Sequence, residues 1–342
     1  MFSWLRRGKS SSKNEKLLLV DTKWGSVVEY LDDLSTCPSK ITEAYSEAHI
    51  FMQKQDYGEA VEHIKTCLQP ELTSSQKAAL YIVSGNCFLC MDNVNKAQKL
   101  YAEASKWARE GENLLALSLA LDNIGVSFRG SGWMHQAMTY HQQALQLSKD
   151  IESPIGEANT IGNLGNVYQG NGNSNKALDF YEESLKTYKK VGSLHGRANQ
   201  LGNIGTIYSS RGEPDKALKH YEQALSIHIE LGNQYARASQ LCHIGIAYWR
   251  KGDLQKALDH YQPAMEIYKE LKYSRGVADQ LLNIGLAYHC EQEWESSLAC
   301  YQQALQIYGH IGAQNKVDAV ERNIKVLSEN KSIQNTINKI TG

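Results

Sequence analysis

The chain has 342 residues, and its 36 lysine and arginine residues nearly balance its 37 aspartate and glutamate residues, giving a formal net charge of -1. Non-specific nucleic-acid binding needs a basic surface that displaces counterions, so this balance indicates a protein that does not bind nucleic acid. The sequence contains no transmembrane segment and no secretory signal, and its seven scattered cysteines predict a reducing, cytoplasmic setting.

The first forty residues differ from the rest of the chain. Residues 1–16 combine Phe2, Trp4 and Leu5 with a basic cluster. This segment is either a disordered tail or a weak contact with an anionic membrane surface, because one such element rarely anchors a protein stably. A candidate leading helix runs from Trp24 to Leu34. Residues 1–40 are therefore interpreted as an amino-terminal tail with this candidate helix.

A forty-residue repeat dominates residues 41–311. Its most regular position is a glycine, which an aromatic residue follows three positions later and a small residue follows twelve positions later. The glycines are Gly85, Gly125, Gly165, Gly205, Gly245 and Gly285. A shortened copy precedes them, with Ala48, Phe51, Ala60 and Ile64 in the corresponding places. Self-similarity at this period predicts stacked helical units without a single central core.

Each copy reads as two helices. In one copy, residues 155–170 and 175–190 are amphipathic, and Gly170-Asn171-Gly172-Asn173 separates them. Gly165 on the first helix and Ala177 on the second are predicted to let the two helices approach closely, because larger side chains would overpack the unit. Tyr181 and its equivalents are predicted to fill the space between one unit and the next. Pro214 is expected in the first turn of its helix.

The last part of the chain departs from the pattern. Pro263 falls in the middle of a second helix, where a kink is expected, either tolerated by neighbouring packing or acting as a hinge. Residues 312–330 are predicted to form a capping helix, in which Lys325 replaces the repeat glycine and one face stays polar. Residues 331–342 are predicted to be a polar, frayed tail.

These positions resemble the tetratricopeptide repeat, whose pattern is Leu-Gly, then Tyr, Ala, an aromatic residue and Ala. The forty-residue length is similar to that of Leu-Gly-Asn-type spindle-orientation adaptors and of many bacterial and archaeal proteins with this repeat. Leu164-Gly165-Asn166 reproduces that tripeptide. The resemblance implies an all-α fold: a right-handed superhelical solenoid of about seven helix-turn-helix units, at 41–311, plus the carboxy-terminal capping helix.

In the family that the chain resembles, the first helix of each unit lines a concave groove that holds an extended peptide. Transferred by position, the groove residues are Asn123, Asn159, Asn163, Asn166, Arg197, Asn199, Asn203, Arg237, His243 and Asn283. A ladder of asparagines offers donors and acceptors to a peptide backbone, but it would serve equally to bond neighbouring repeats together. The two arginines either pair with an acidic ligand or form solvated ion pairs. Both alternatives stay open for each residue type.

Several more specific activities are disfavoured. Chaperone-binding members of the family carry a lysine three positions before the glycine, and none of the corresponding residues here is basic. Cys87 and Cys90 have the spacing of a redox or metal pair, but they lie within a helix and have no second pair, so they are interpreted as buried hydrophobes. The sequence shows no nucleotide-binding or catalytic motif. We expect no metal and no cofactor.

The sequence therefore predicts a non-catalytic scaffold or adaptor that binds an extended segment of a protein or peptide partner. The alternative is a ligand-gated regulatory receptor for a short signalling peptide. Residues 1–40 are too short for the effector domain that such receptors usually carry.

Overall fold

The computed structural model describes residues 17–22, 25–30, 52 and 56–341, with side chains for residue 52 and residues 56–330. In this part of the chain, two short strands precede fourteen helices. The strands are β1 (Leu17–Thr22) and β2 (Gly25–Tyr30). The helices are α1 (Tyr57–Cys67), α2 (Ser74–Cys90), α3 (Val94–Glu110), α4 (Leu114–Gly130), α5 (Met134–Asp150), α6 (Pro154–Gly170), α7 (Ser174–Val191), α8 (Leu194–Ser210), α9 (Pro214–Glu230), α10 (Gln234–Arg250), α11 (Leu254–Glu270), α12 (Ser274–Cys290), α13 (Trp294–His310) and α14 (Gln314–Thr341).

The helices form an all-α repeat solenoid of helix pairs. Six complete pairs run from α2 to α13, and each pair repeats the forty-residue unit of the sequence. Helix α1 is the second helix of the shortened first copy, and its Ala60 and Ile64 are fully buried. The first helix predicted for that copy falls outside the described residues, except for Met52, which is helical and buried. We call α2, α4, α6, α8, α10 and α12 the first helices, and their partners the second helices.

The amino-terminal segment contains a β-hairpin. β1 and β2 pair antiparallel, with Val20 opposite Val27. The leading helix predicted from Trp24 to Leu34 is therefore wrong for Gly25–Tyr30, which forms a strand. The physical reason is the run of β-branched and aromatic residues, Val27, Val28 and Tyr30, which favours an extended backbone. Residues 1–16, with the tail and membrane-contact alternatives, lie outside the described residues.

The repeat glycines allow the two helices of a unit to pack closely. A Cβ atom on Gly165 would stand 2.6 Å from the Tyr181 ring, and one on Gly205 would stand 2.7 Å from the Tyr221 ring. The predicted steric role of the glycine is confirmed. The prediction that these tyrosines fill the space between one repeat and the next is confirmed for Tyr221, which shares a core cluster with an isoleucine and an alanine of the next first helix. The Tyr221 ring packs between the two helices of its own repeat. It also contacts the next repeat, because it stacks on His243 with 5.1 Å between ring centroids.

Asparagine and aspartate side chains begin many of the helices. The Asn113 side chain accepts a hydrogen bond from the Ala116 backbone N–H at 2.9 Å, and Asn233 accepts one from Ala236 at 3.0 Å. Such caps satisfy backbone donors that have no partner inside the helix. From α3 onwards, the turn before each helix contains a residue with a positive φ, such as Gly172 at 76°. Glu112 occupies the same kind of position at 50°, so glycine is favoured at these turns and not obligatory.

The outcomes for Pro214, Pro263 and the last helix are as follows. Pro214 is the first residue of α9, as predicted. Helix α11 continues through Pro263 to Glu270. Helix α14 caps the array, but it runs to Thr341, so the polar tail predicted at 331–342 is wrong up to that residue. No glycine or proline interrupts residues 313–341, and Ile333, Ile337 and Ile340 continue a helical spacing.

The chain divides into two compact units, unit 1 (residues 1–200) and unit 2 (residues 201–342). The division falls inside α8. In unit 1, one continuous core cluster extends from Met52 to Tyr188. In unit 2, the core consists of smaller clusters. Two of them have the same composition: an alanine, a leucine and a tyrosine from a second helix, with an isoleucine and an alanine from the next first helix.

Candidate functional site

The first helices contact one another as well as their own second helices. In unit 1, α2 contacts α4 and α4 contacts α6, and in unit 2, α10 contacts α12. The exposed side of this layer is the face on which the resemblance places a peptide. We call it the first-helix face. All ten of the predicted groove residues lie on first helices.

In unit 1, a buried carboxylate organises several of the predicted residues. Asp122 on α4 is 2% exposed. Its Oδ2 atom accepts hydrogen bonds from Asn159 Nδ2 at 2.7 Å and from Asn163 Nδ2 at 2.9 Å, both on α6. Its Oδ1 atom lies 2.6 Å from Nδ1 of the fully buried His141. These bonds join one repeat to the next, because Asp122 lies on α4 and both asparagines lie on α6.

The other asparagines of unit 1 also bond to protein groups. Asn123 Nδ2 donates to Asn86 Oδ1 at 3.1 Å, and Tyr101 donates to the same oxygen at 2.8 Å. Asn166 Oδ1 accepts a hydrogen bond from the Tyr181 hydroxyl at 2.8 Å. Asn123 is fully buried. For these residues the geometry favours the second of the two alternatives, hydrogen bonding between helices of the solenoid.

The remaining predicted residues are half-buried. In unit 1, Arg197 has its Nε atom buried and without a hydrogen-bond partner among the described residues, and Asn199 lies on the same helix. In unit 2, Asn203 lies near the middle of its helix, and Arg237 Nη1 donates to Gln234 Oε1 at 3.3 Å near the start of α10. Asn283 Nδ2 lies 3.5 Å from Cys242 Sγ on the preceding first helix.

Unit 2 contains a cavity of about 290 Å³ on its first-helix face. His243 and Asn283 are the two predicted residues that line it. Its other lining residues come from the helices α10, α11, α12 and α14 and the turn before α12. They are Tyr235, Ser239, Cys242, Tyr268, Tyr273, Gly276, Asp279, Gln280, Leu282 and Lys316.

Three tyrosines form one wall of the cavity. The ring centroids of Tyr235 and Tyr273 are 5.4 Å apart, and those of Tyr268 and Tyr273 are 5.5 Å apart. Gly276 lies directly beneath two of these rings, because a Cβ atom there would stand 2.5 Å from Tyr273 and 2.6 Å from Tyr268. The glycine therefore allows the rings to approach α12.

The residues lining the cavity carry no net charge at neutral pH. Burial raises the pKa of the Cys242 thiol to about 11 and lowers the pKa of His243 to about 4, since desolvation disfavours the charged form of each group. The one ion pair lining the cavity joins Asp279 Oδ1 to Lys316 Nζ at 3.1 Å, and the Tyr308 hydroxyl donates to the same oxygen at 2.6 Å. About a third of each side chain of the ion pair is exposed.

Two polar atoms of the lining residues are buried without a hydrogen-bond partner among the described residues. They are Gln280 Oε1 and His243 Nδ1. Gln280 itself is 2% exposed. Buried polar atoms are almost always paired in native proteins, so an unpaired atom on a residue that lines a cavity is a candidate for a hydrogen bond to a ligand.

The sequence prediction missed Gln280 and the three tyrosines. A usable signal was present, because Gln200, Gln240 and Gln280 recur at one repeat position, five residues before the glycine. In the structure, the Gln240 side chain reaches Gly202 on the preceding first helix. Its Nε2 atom lies 3.2 Å from the point where a Cβ atom on Gly202 would stand. Tyr268 carried a similar signal, because tyrosines recur at its repeat position in residues 188 and 308. Tyr235 and Tyr273 carried none, since no tyrosine stands forty residues before or after either of them.

Three features of the described residues bear on redox chemistry, metal binding and membrane insertion. Cys87 is buried and Cys90 is half-buried, both within helix α2. Within residues 56–330, no three histidine, cysteine or acidic side chains converge as metal ligands would. No helix in the described part of the chain has the length and apolar character needed to span a bilayer.

Comparison with known proteins agrees with the repeat architecture. Residues 156–230 and 235–309 match the family model described as tetratricopeptide repeat. No curated protein is a significant match to the chain. These two ranges, within helices α6 to α13, are tetratricopeptide repeats. This fold typically serves as a non-catalytic scaffold for protein interactions.

Solved structures share the fold at low sequence identity. The Rap conjugation gene regulator of the plasmid pLS20, in complex with the Phr* peptide, is 15% identical with a TM-score of 0.65, over 83% of this chain and 80% of that one. A Rap protein complexed with Competence and Sporulation Factor is 13% identical with a TM-score of 0.62, over 89% and 91%. BtubC (BKLC) from P. vanneervenii is 20% identical with a TM-score of 0.56, over 65% and 92%.

Proposed function

We propose that the protein is a non-catalytic scaffold that binds an extended segment of a partner protein on the first-helix face of unit 2. The observation that carries this proposal is the cavity there, which combines an aromatic wall with two buried polar atoms that lack partners. Ligand sites usually combine hydrophobic or aromatic side chains with a few convergent polar groups, and this cavity has both, with a larger share of polar residues. The near-neutral net charge favours a protein partner over nucleic acid, and the free thiols suit a reducing cytoplasm.

An extended chain matches the spacing of the first helices. Packed helices lie about 8–10 Å apart, and an extended chain advances about 3.3 Å per residue. Every third residue of a bound segment would therefore meet the next first helix. In unit 1, the backbone of β2 lies against α2, α4 and α6, so an extended stretch of this chain already occupies the first-helix face there. This arrangement supports the same mode of binding for a partner in unit 2.

Peptide selection tests the proposal. A library of random peptides is displayed and selected on the full chain, and a selected peptide is titrated by fluorescence anisotropy. Asn283→Ala and Ser239→Leu are expected to weaken binding about five- to tenfold, because each alters a side chain lining the cavity. Glu222→Ala is the matched control, since Glu222 is exposed on the second helix α9. A peptide that binds all variants equally would contradict the assignment, as would failure to select any peptide.

A second function, a regulatory receptor for a short signalling peptide, is favoured by the likeness to the Rap regulator solved with the Phr* peptide. The two functions differ in what binding does to the protein. A receptor changes conformation when its peptide binds, because the ligand must have different affinities for two states. Small-angle scattering with and without a selected peptide separates them. A changed radius of gyration supports the receptor, and an unchanged one supports the scaffold.

A further inference from the structure

We infer that the cavity of unit 2 holds one side chain of the bound segment, a tyrosine whose ring packs against the tyrosine wall and whose hydroxyl meets Gln280 Oε1. This inference rests on the proposed function, because the tyrosine belongs to the segment that the first-helix face binds.

The size of the cavity limits the ligand. At about 290 Å³ it lies at the lower end of the range for small-molecule sites. It therefore accommodates one large side chain of a peptide more readily than a cofactor. The rest of the peptide would continue along α10 and α12, outside the cavity.

The absence of net charge among the lining residues excludes ionised ligands. His243 is neutral and Cys242 is protonated at neutral pH, and Asp279 and Lys316 neutralise each other. An ionised side chain that entered would lose its hydration, and the only charged groups lining the cavity already pair with each other, so its entry costs several kcal/mol. Glutamate, aspartate, lysine and arginine are therefore disfavoured in this cavity.

The two unpaired polar atoms of the cavity determine which uncharged aromatic side chain of the peptide binds best. Gln280 Oε1 is an acceptor that needs a donor, and His243 Nδ1 of a neutral ring either donates or accepts. A phenol hydroxyl donates one hydrogen bond and accepts others, so it suits both atoms. An indole N–H only donates, and phenylalanine offers neither. The expected order of preference is tyrosine, then tryptophan, then phenylalanine.

The wall supplies the aromatic contact. Tyr235 already packs edge-on against Tyr268 and Tyr273, with interplanar angles of 62° and 73°. Aromatic pairs prefer such edge-to-face or offset arrangements, and each contributes about 0.5–1.5 kcal/mol beyond the area that it buries. A further ring added to this cluster continues the same packing.

Single amino-acid amides test the cavity separately from the groove. N-acetyl-tyrosinamide, N-acetyl-phenylalaninamide and N-acetyl-glutamic acid amide are titrated into the full chain, with ligand-observed saturation-transfer nuclear magnetic resonance as the readout. The tyrosine amide is expected to bind about three- to tenfold more tightly than the phenylalanine amide, which is the net effect of one hydrogen bond. The glutamic acid amide is expected not to bind.

Variants identify the acceptor. Gln280→Leu is expected to reduce the ratio between tyrosine and phenylalanine amides to about one, with binding of the phenylalanine amide retained. Gln240→Leu is the matched control. It makes the same change at the equivalent repeat position, where the glutamine also has an unpaired Oε1 but does not line the cavity. This control is expected to keep the wild-type ratio. Thermal melting by circular dichroism checks that both variants fold.

Three results would overturn the inference. These are equal binding of the tyrosine and phenylalanine amides to the wild-type chain, an unchanged ratio in Gln280→Leu, and no binding of the tyrosine amide at tens of millimolar. If selected peptides still bind while the amides fail, only the tyrosine inference falls. If no peptide binds at all, the proposed function falls whatever the amides do.

Discussion

At the scale of single residues, the repeat is defined by small residues facing large ones. The glycine of each first helix lies under an aromatic ring of its own second helix: tyrosine in five units and His141 in the remaining one. Where histidine replaces tyrosine, the first helix carries the buried Asp122, which lies 2.6 Å from that histidine. The exchange keeps the space filled and gives the imidazole a hydrogen-bond partner.

Adding one methyl group at the repeat glycine tests this packing. Gly165→Ala is expected to lower the free energy of unfolding by about 1–3 kcal/mol, because its Cβ atom would stand 2.6 Å from the Tyr181 ring. Gly309→Ala is the control, since a Cβ atom there has no neighbour within 4 Å. It is expected to be neutral or to stabilise by about 0.5–1 kcal/mol. Urea unfolding followed by circular dichroism measures both, and equal effects of the two substitutions would refute the steric role.

His243 makes the stability of unit 2 depend on pH. Its pKa is lowered to about 4 in the folded chain from an ordinary 6.5, so the unfolded chain takes up the proton first as the pH falls. The contribution of the neutral His243 ring to the free energy of unfolding is therefore fully present above pH 6.5 and is lost as the pH falls towards 4. His243→Asn restores the residue found at the equivalent positions 203 and 283. The stability difference between wild type and variant is expected to change by on the order of 2 kcal/mol across that range. A difference that does not vary with pH would contradict this account.

The sequence predicted residues that all lie on first helices, but it did not decide what they do there. Asn163 and Asn283 stand at the same repeat position, yet Asn163 bonds to a buried carboxylate and Asn283 lines a cavity. The difference depends on a neighbour 41 residues earlier in the chain, Asp122 in one case and Cys242 in the other. Sequence spacing identifies the position, and only the contacts between repeats identify the role.

At the scale of elements, the sequence predicted the ends of the helices where a glycine, a proline or an asparagine cap stands between two helices. The predictions failed where such signals were missing or conflicted. β2 formed because its β-branched residues outweighed a helical spacing of apolar positions. Helix α14 continued to Thr341 because the polar residues after 330 contain no helix breaker before Gly342.

Pro263 is the residue least suited to its element. It lies inside α11, where proline lacks an N–H donor and crowds the preceding turn. Pro263→Gln restores the residue found at positions 223 and 303 of neighbouring repeats. It is expected to stabilise unit 2 by about 1–3 kcal/mol, and hydrogen exchange of the α11 amides is expected to slow. If Pro263 serves as a hinge for binding, the same variant also changes the affinity for a selected peptide.

At the scale of the whole molecule, the chain is a repeat solenoid whose two compact units use the first-helix face differently. In unit 1, the hairpin strand β2 lies against that face, and many of its polar side chains bond to one another. In unit 2, the same layer carries a cavity with a tyrosine wall. The central claim is that this cavity lies on the path of a bound, extended partner segment.

Photo-crosslinking tests that claim most directly. A selected peptide carrying a benzoyl-phenylalanine at successive positions is irradiated with the full chain, and mass spectrometry locates the attachment sites. We predict labels on α10 and α12, around Tyr235, Ser239 and Asn283, with positions three apart on the peptide labelling successive first helices. Labels confined to the second helices or to unit 1 would contradict the claim.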